Sequence, residues 1–307
     1  MLRYIGNRLL AAIPTVLLVT VLVFLMLHLI PGDPAEIFLG ENFSTPELLA
    51  QVRADMGLDR PLHVQYLSYL GGVLQGDFGR SLNNNRPVLD EIAARLPTTI
   101  ELTVAAMAVG VLLGFSLGII SALGHNTWVD TLAMALALLG VSMPIFWMSL
   151  LLIFFFSVRL NWFPALSTGG LQGLVLPALA LGLLSSSTLA RMVRSSMLDV
   201  LNQDYVRTAR SKGLRERTVV LRHALKNALI PTITVLGLQF GQLLGGAVIT
   251  ETIFARQGIG RLYVESILRK DFTMVQGLTL LIAIAYVLIN LAVDVAYAAV
   301  DPRIQYE

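Results

Sequence analysis

The composition of this 307-residue chain is that of an integral membrane protein, because 55% of its residues are hydrophobic and only 14% are charged, against about 25% in soluble domains. The net charge of +2 is uninformative as a total, and the absence of cysteine excludes disulfides, thiolate metal sites and cysteine nucleophiles. The four histidines are far apart in the sequence and lack the spacing of metal ligands.

Six segments are apolar over a length that can cross a bilayer, which takes about 20 residues of helix. Hydrocarbon offers the backbone no hydrogen-bond partner, so these segments are predicted to be helices. The predicted spans are residues 9–30, 98–123, 131–158, 171–189, 229–249 and 275–299. We interpret the first as a retained span, because its apolar run exceeds the about 7–15 residues of a signal peptide. The fourth is the weakest, since Pro177 and a Ser-Ser-Ser-Thr run dilute it.

The distribution of Lys and Arg predicts the orientation. With the N-terminus inside, the loop at residues 191–228 is also cytoplasmic, and it holds nine basic residues against three acidic ones. An even number of spans then places both termini in the cytoplasm. We expect three regions: residues 1–30 with the first span, an external insertion at residues 31–97 that forms a small helical cap, and a five-helix core at residues 98–307.

Two glycine ladders have the four-residue spacing that lets another helix backbone approach closely. They are Gly110, Gly114 and Gly118 in the second predicted span and Gly237, Gly241 and Gly245 in the fifth. Two interpretations are open: a subunit interface or wall of a moving path, or static packing within one bundle. Gln239 and Gln242 flank Gly241 and either line a wet path or hydrogen-bond between helices.

Pro144 is predicted to kink the third span near its middle, because proline removes a backbone hydrogen bond. The kink is either a hinge or a simple bend. Ser142 and Pro144 therefore belong with the fifth-span residues as candidates for path lining or helix packing.

We find no constellation for catalysis. None of the three lysines completes the GxxxxGK[ST] loop that cradles phosphate. A coupled carrier usually needs ionisable groups near mid-membrane, and the chain has few of them. We interpret Asp294 in the sixth span as a structural cap or ion-pair partner in preference to a coupling residue. Energy for any transport must therefore come from elsewhere.

The most charged stretch is RTARSKGLRER, residues 207–217, in the cytoplasmic loop. Helical patterning before Gly213 predicts a helix that Gly213 ends in the left-handed region, and a second helix then leads into span five. The loop either contacts anionic lipid, serves as an orientation signal, or docks a soluble partner. The small residues Thr208, Ala209 and Ser211 favour docking, since a lipid-bound helix prefers bulky apolar residues.

The stretch DYVRTARSKGLRERTVVLRHALKNALIP, residues 204–231, resembles the EAA loop of ABC importer permeases. In particular it is similar to the first permease subunit of dipeptide, oligopeptide, nickel and glutathione importers. Arg207, Thr208 and Ala209 take the place of Glu-Ala-Ala, and Gly213 holds the loop glycine. The substitutions of Arg for Glu and of Lys226 for Pro depart from the general pattern and are expected of the peptide-permease branch. The resemblance covers almost the whole chain, including GDFGRSL at 76–82, RPVLDEIAARLPTTIEL at 86–102, ETIFARQGIGRL at 251–262 and DPRIQY at 301–306.

The resemblance implies an all-α integral membrane protein with the type I ABC importer permease fold, six transmembrane helices and an external helical insertion after span one. The chain would be one of two non-identical permease subunits in the bacterial inner membrane. Two ATPase subunits, or one dual ATPase, would carry ATP and magnesium, and an external binding protein would deliver cargo. The chain itself would bind no cofactor and no nucleic acid, and would not be an enzyme.

Short peptides are the expected cargo, with glutathione or a nickel complex as the alternative. A stand-alone carrier or channel and a membrane scaffold are the rival functions. Residues 204–213 would be the coupling helix, with Gly213 setting the turn and Thr208 and Ala209 permitting close approach. The residues implied at or beside the ATPase are Tyr205, Arg207, Thr208, Ala209, Arg210, Lys212, Gly213, His223 and Asn227.

Overall fold

The computed structural model describes residues 2–29, 33–39, 45–167 and 169–300. Within these residues the only extended pairing is one isolated bridge between Arg80 and Pro87, so the predicted all-α class is confirmed. The end of the first predicted span at Ile30 and the segment DPRIQY lie outside the described residues.

Helices follow one another through most of the described chain. In order they are α1 (Leu2–Leu29), α2 (Pro34–Leu39), α3 (Pro46–Asp55), α4 (Leu62–Leu74), α5 (Val88–Leu123), α6 (Trp128–Ser142), α7 (Ile145–Leu152), α8 (Gln172–Leu201), α9 (Asp204–Ser211), α10 (Glu216–Thr218), α11 (Leu225–Ala228), α12 (Ile230–Ile253), α13 (Ile259–Leu268) and α14 (Phe272–Val300). Two π-helical segments, Ile153–Arg159 and Val219–Ala224, extend α7 and join α10 to α11.

Three of the described helices are long and apolar enough to cross a membrane: α5, α8 and α14 as far as Val293. The bent pair of α6 with α7 and its π-helical extension makes a fourth if it counts as one span. The apolar part of α1 is the shorter stretch Leu10–Met26. α12 has 24 residues, Ile230–Ile253. The six-span count therefore stays a prediction for the first and fifth segments.

Two helices extend beyond the predicted spans. α5 begins at Val88, so the last part of the predicted insertion is already helical and Pro97 lies inside the helix. α8 continues past the predicted end at Leu189 to Leu201, so the predicted loop begins within a helix. Hydropathy marks only the apolar part of a helix, and both extensions are rich in charged residues.

The third predicted span is interrupted where a kink was predicted. α6 ends at Ser142 and α7 begins at Ile145, with a bend of 108° between them. Met143 is extended (φ −108°, ψ 134°), as expected of a residue before proline, whose ring excludes the α region. The change of direction at Pro144 is thus a break of the helix and is larger than a kink.

The described chain divides into two compact units. Among the described residues, the first comprises residues 98–256 and 289–300, and the second comprises residues 2–97 and 257–288. In the first unit α8 is the central helix and packs against α6, α7 and α12. Its most apolar window is 72% buried, against 28% for α5, which identifies α8 as the core of this unit.

The first glycine ladder packs α5 directly on α8. A Cβ added at Gly114 would lie 2.6 Å from Leu189 Cβ, and one at Gly118 would lie 2.7 Å from the Ala190 carbonyl oxygen. A Cβ at Gly110 would overlap the Ser185 hydroxyl. These contacts support static packing within one chain. The second ladder is divided, because a Cβ at Gly237 would overlap Val293 whereas Gly245 has nothing within 4 Å.

Gly114→Ala is expected to destabilise the chain by about 1–3 kcal/mol, because the new methyl group would force α5 away from α8. Gly245→Ala is the matched control, since its methyl group enters open space and alanine favours a helix over glycine by about 1 kcal/mol. The measurement is the temperature at which each detergent-purified variant loses its monodisperse peak. Equal midpoints for the two variants would contradict this contact.

In the second unit an apolar cluster joins the start of α5 to α13 and α14. Its buried members are Val88, Ile92, Ile259, Leu262, Met274 and Leu278. Asp271 precedes α14 and accepts hydrogen bonds from the backbone N–H of Leu82 (3.1 Å) and of Met274 (3.2 Å), and from the Ser81 hydroxyl. This buried carboxylate therefore anchors the loop before α5 to the start of α14.

Candidate functional site

The predicted coupling helix is α9, which follows α8 after a turn at Asn202 and Gln203. Gln203 is extended (φ −76°, ψ 150°) and Lys212 ends the helix. Gly213 has φ +74°, a left-handed conformation that glycine adopts without strain, and its N–H donates to the Arg210 carbonyl at 2.9 Å. The glycine turn predicted from the sequence is thus present.

The inner face of α9 packs against a cluster of buried apolar residues. Val206 and Ala209, three residues apart, are both buried, with exposures of 0% and 7%. Their neighbours come from α5, α8 and the helical stretch at residues 219–228: Ala122, Val193, Met197, Val200, Val219, Val220, Ala224 and Ala228. Ala209 therefore faces its own chain, which corrects the expectation that it gives a partner close access. Because α9 packs closely against this cluster, a shift of α9 requires its neighbours to move as well.

Tyr205 joins α9 to the helical stretch that follows the glycine turn. Its hydroxyl accepts a hydrogen bond from Asn227 Nδ2 at 2.7 Å and donates to the His223 carbonyl at 3.4 Å. The structure thus brings these three predicted residues together, and His223 takes part through its backbone.

The outer surface of the loop is basic. Arg207, Thr208, Lys212 and Gly213 are exposed, and the Thr208 hydroxyl donates to the Asp204 carbonyl at 2.9 Å. Arg207 lies 3.9 Å from the Asp204 carboxylate. Among the described residues Lys212 has no ion-pair partner. Thr208 and Ser211 are therefore the exposed small side chains of α9 that leave this surface open for close approach.

Arg210 already has a partner within the chain. Its Nε and Nη2 donate to the two carboxylate oxygens of Glu216 at 3.1 and 2.7 Å. This hydrogen bonding lowers the pKa of Glu216 and raises the pKa of Arg210. The pair spans the Gly213 turn and restrains it. Sequence analysis missed Glu216, because a six-residue separation across a turn has no helical periodicity.

The candidates for path lining lie on two helices and differ in exposure. The Ser142 hydroxyl donates to the Leu138 carbonyl at 2.9 Å, at the end of α6. On α12 Gln239 and Gly241 are buried, whereas Gln242 and Gly245 are exposed. Of these four residues on α12, Gln242 and Gly245 are therefore the ones that a path or a neighbouring subunit could contact.

A second polar cluster, missed as a unit in the sequence, lies at the C-terminal end of α12. Glu251 is fully buried and accepts a hydrogen bond from the Thr99 hydroxyl at 2.6 Å. Arg256 is also buried and pairs with Glu101 at 2.8 Å. Both acidic residues are near span ends in the sequence, but nothing in their spacing indicates these partners.

Comparisons with known proteins identify the family of the chain. A family described as binding-protein-dependent transport system inner membrane component matches residues 114–306, and its N-terminal companion family matches residues 1–103. The glutathione transport system permease protein GsiC of Salmonella paratyphi A is 48% identical over 307 residues, the whole of both chains. The protein of the same description from Escherichia coli K12 is 46% identical, again over both whole chains.

Solved structures share the fold at low sequence identity. An inward-facing structure of the MetNI methionine ABC transporter superposes with a TM-score of 0.60 and 18% identity, covering 68% of this chain and 96% of that chain. An amino acid ABC transporter superposes with a TM-score of 0.52 and 18% identity, covering 70% and 94%. Two family models match the chain, and relatives align with it over their full length. The chain therefore belongs to the binding-protein-dependent inner membrane components and is a permease subunit of an ABC importer.

Proposed function

We propose that the chain is one of two permease subunits of an ATP-driven glutathione importer in the bacterial inner membrane. The observation that carries the substrate is the 46–48% identity, over the full length, to glutathione permeases. This substrate is the alternative named from the sequence, and the short peptides expected first are not supported by these relatives. Both termini are proposed to be cytoplasmic, and the insertion at residues 31–97 to be external.

The partners follow from the family, whose members depend on a binding protein. The proposed complex contains a second permease subunit, two ATPase subunits or one dual ATPase, and an external binding protein. The ATPases bind ATP and magnesium, and hydrolysis of ATP supplies the energy for transport. Within this chain α9 is the proposed contact for one ATPase, through the exposed residues Arg207, Thr208 and Lys212.

The packing of α9 explains how movement of an ATPase would reach the membrane helices. Val206 and Ala209 bind α9 to the residues of α8 around Val193 and Met197, and Tyr205 binds it to the start of the fifth-span region. α8 in turn contacts α5 through glycines, so the helices have little room to slide independently. A push on α9 is therefore transmitted to several helices together.

The test is uptake by the complete complex. Proteoliposomes that contain both permeases and the ATPases, with internal ATP and external binding protein, are expected to accumulate labelled glutathione. A dialanine peptide and a nickel–histidine complex are measured in parallel. Accumulation of either of these without glutathione would overturn the proposed substrate, and ATP-independent accumulation by the permeases alone would favour a carrier.

A further inference from the structure

A cleft of about 740 Å³ lies within the second unit, among α1, α4, the loops on either side of α4 and the start of α14. This volume is within the range of about 300–1,000 Å³ that is typical of small-molecule sites. Phe24, Tyr69 and Gln276 contribute to its lining, and four charged residues come from the end of α3 and from the two loops beside α4: Asp55, Arg60, Asp77 and Arg80. The cleft thus has the mixed apolar and charged lining of a binding site.

The walls of the cleft are held in place by hydrogen bonds. Gln65 Nε2 donates to the carbonyls of Leu58 (3.2 Å) and Arg60 (2.7 Å), which fixes the loop that carries Arg60. On the other wall Arg80 Nη1 donates to the Asn85 carbonyl at 2.9 Å. The neighbouring Ser81 is bound to Asp271. Both arginines are therefore presented by constrained backbone.

Tyr69 leaves a buried donor without a partner. Among the described residues no hydrogen bond is made by its hydroxyl, although that atom is buried. Burial, with a contribution from Tyr66, raises the pKa of Tyr69 to about 12, so the phenol is a neutral hydrogen-bond donor at neutral pH. A buried hydroxyl without a partner is costly, and a change of the Tyr69 rotamer that brings the hydroxyl to an acceptor on a bound ligand would remove that cost.

The charges of the lining match one class of ligand. Arg60 and Asp55 have no ion-pair partner among the described residues, and Arg80 uses one of its donors on Asn85. Asp77 accepts from the Gly79 N–H at 2.9 Å, which leaves Asp55 as the more available carboxylate. Two guanidinium groups and one available carboxylate complement a molecule with two carboxylates and one ammonium group. Glutathione has these charges at neutral pH.

We propose that this cleft binds the short zwitterionic peptide substrate, with Arg60 and Arg80 on its two carboxylates, Asp55 on its ammonium group and the Tyr69 hydroxyl as a further donor. The identity of the ligand rests on the proposed function. Most of the residues of the proposed site belong to the insertion at residues 31–97.

The experiment measures direct binding without the binding protein. The permease–ATPase complex in lipid nanodiscs is titrated with glutathione and followed by saturation-transfer NMR. Saturable binding is expected, with affinity lowered about ten-fold or more by Arg60→Gln and by Arg80→Gln, because each removes a charge-assisted hydrogen bond. Tyr69→Phe should lower the affinity about two- to ten-fold. Glutathione diethyl ester, which lacks both carboxylates, should bind the unchanged complex no more tightly than glutathione binds the arginine variants.

Arg269→Gln is the matched control, because Arg269 is an exposed arginine of the same unit that does not line the cleft. It should bind glutathione as the unchanged complex does. Glutathione uptake by the same preparation, with binding protein and ATP, tests the proposed function separately. An active complex that shows no saturable binding overturns the site alone. Affinities that the Arg60 and Arg80 variants leave unchanged also overturn it.

Discussion

Gly213→Val is expected to reduce ATP-dependent glutathione uptake by about ten-fold or more, while the permease reaches the membrane at its normal level. The left-handed conformation at φ +74° costs a β-branched residue about 1–3 kcal/mol, equivalent to roughly 5- to 150-fold in population. A Cβ at this position meets nothing within 4 Å, so the chain itself does not resist the substitution sterically. The strain of the substitution therefore lies in the backbone of the turn.

The consequence for the turn is loss of the geometry that ends α9. The Gly213 N–H bond to the Arg210 carbonyl and the Arg210–Glu216 pair both depend on this conformation. If the turn opens, the basic surface presented by Arg207 and Lys212 changes its direction. Reduced recovery of the ATPase subunits with the affinity-purified variant permease, at equal permease yield, is the direct measurement.

Gly213→Asn separates backbone conformation from added bulk, because asparagine visits the left-handed region more readily than other residues. It should retain most of the uptake and of the ATPase recovery. If the valine and asparagine variants are equally defective, bulk at the surface rather than the turn is responsible. If both behave as the unchanged chain does, α9 is not the docking element.

Local features of the sequence were sufficient for much of the fold. Long apolar runs predict α5, α8 and α14, because the length of an apolar helix is set by the thickness of the bilayer. The turn at Gly213 and a change of direction at Pro144 were also predictable, since each depends on the backbone chemistry of a single residue, although the sequence predicted a kink and the helix breaks. These features need no knowledge of what the residues contact.

Features that depend on contacts were not predictable. α8 continues beyond Leu189 although Arg191 and Arg194 lower its hydropathy, because Val193, Met197 and Val200 are buried against neighbouring helices and Arg194 pairs with Asp130. Ala209 belongs to a small-residue motif that suggests access for a partner, but its place beside Val206 on one helix face buries it. In both cases tertiary packing decides the outcome, and a single sequence carries no record of it.

The ion pair between Asp130 and Arg194 is the clearest feature that sequence reasoning missed. Arg194 on α8 donates from Nε and Nη2 to the two carboxylate oxygens of Asp130 on α6, at 2.8 and 2.7 Å. Ser121 on α5 also donates to this carboxylate, at 2.5 Å. A separation of 64 residues gives no periodic signal. The pair ties three helices together on the stretch of α8 that leads to α9.

Arg194→Met is expected to destabilise the chain by about 3 kcal/mol, because it leaves the buried Asp130 carboxylate without its charged partner. The Asp130→Asn and Arg194→Met double variant should recover most of that loss, since the amide is neutral and can still accept from Ser121. Both variants and the Asp130→Asn single variant are compared by thermal loss of the monodisperse detergent-solubilised chain. Uptake should fall in proportion to folded protein, with the amount of glutathione moved per ATP unchanged. Additive effects of the two substitutions would contradict the ion pair, and a lower transport yield per ATP at full protein level would instead assign it to coupling.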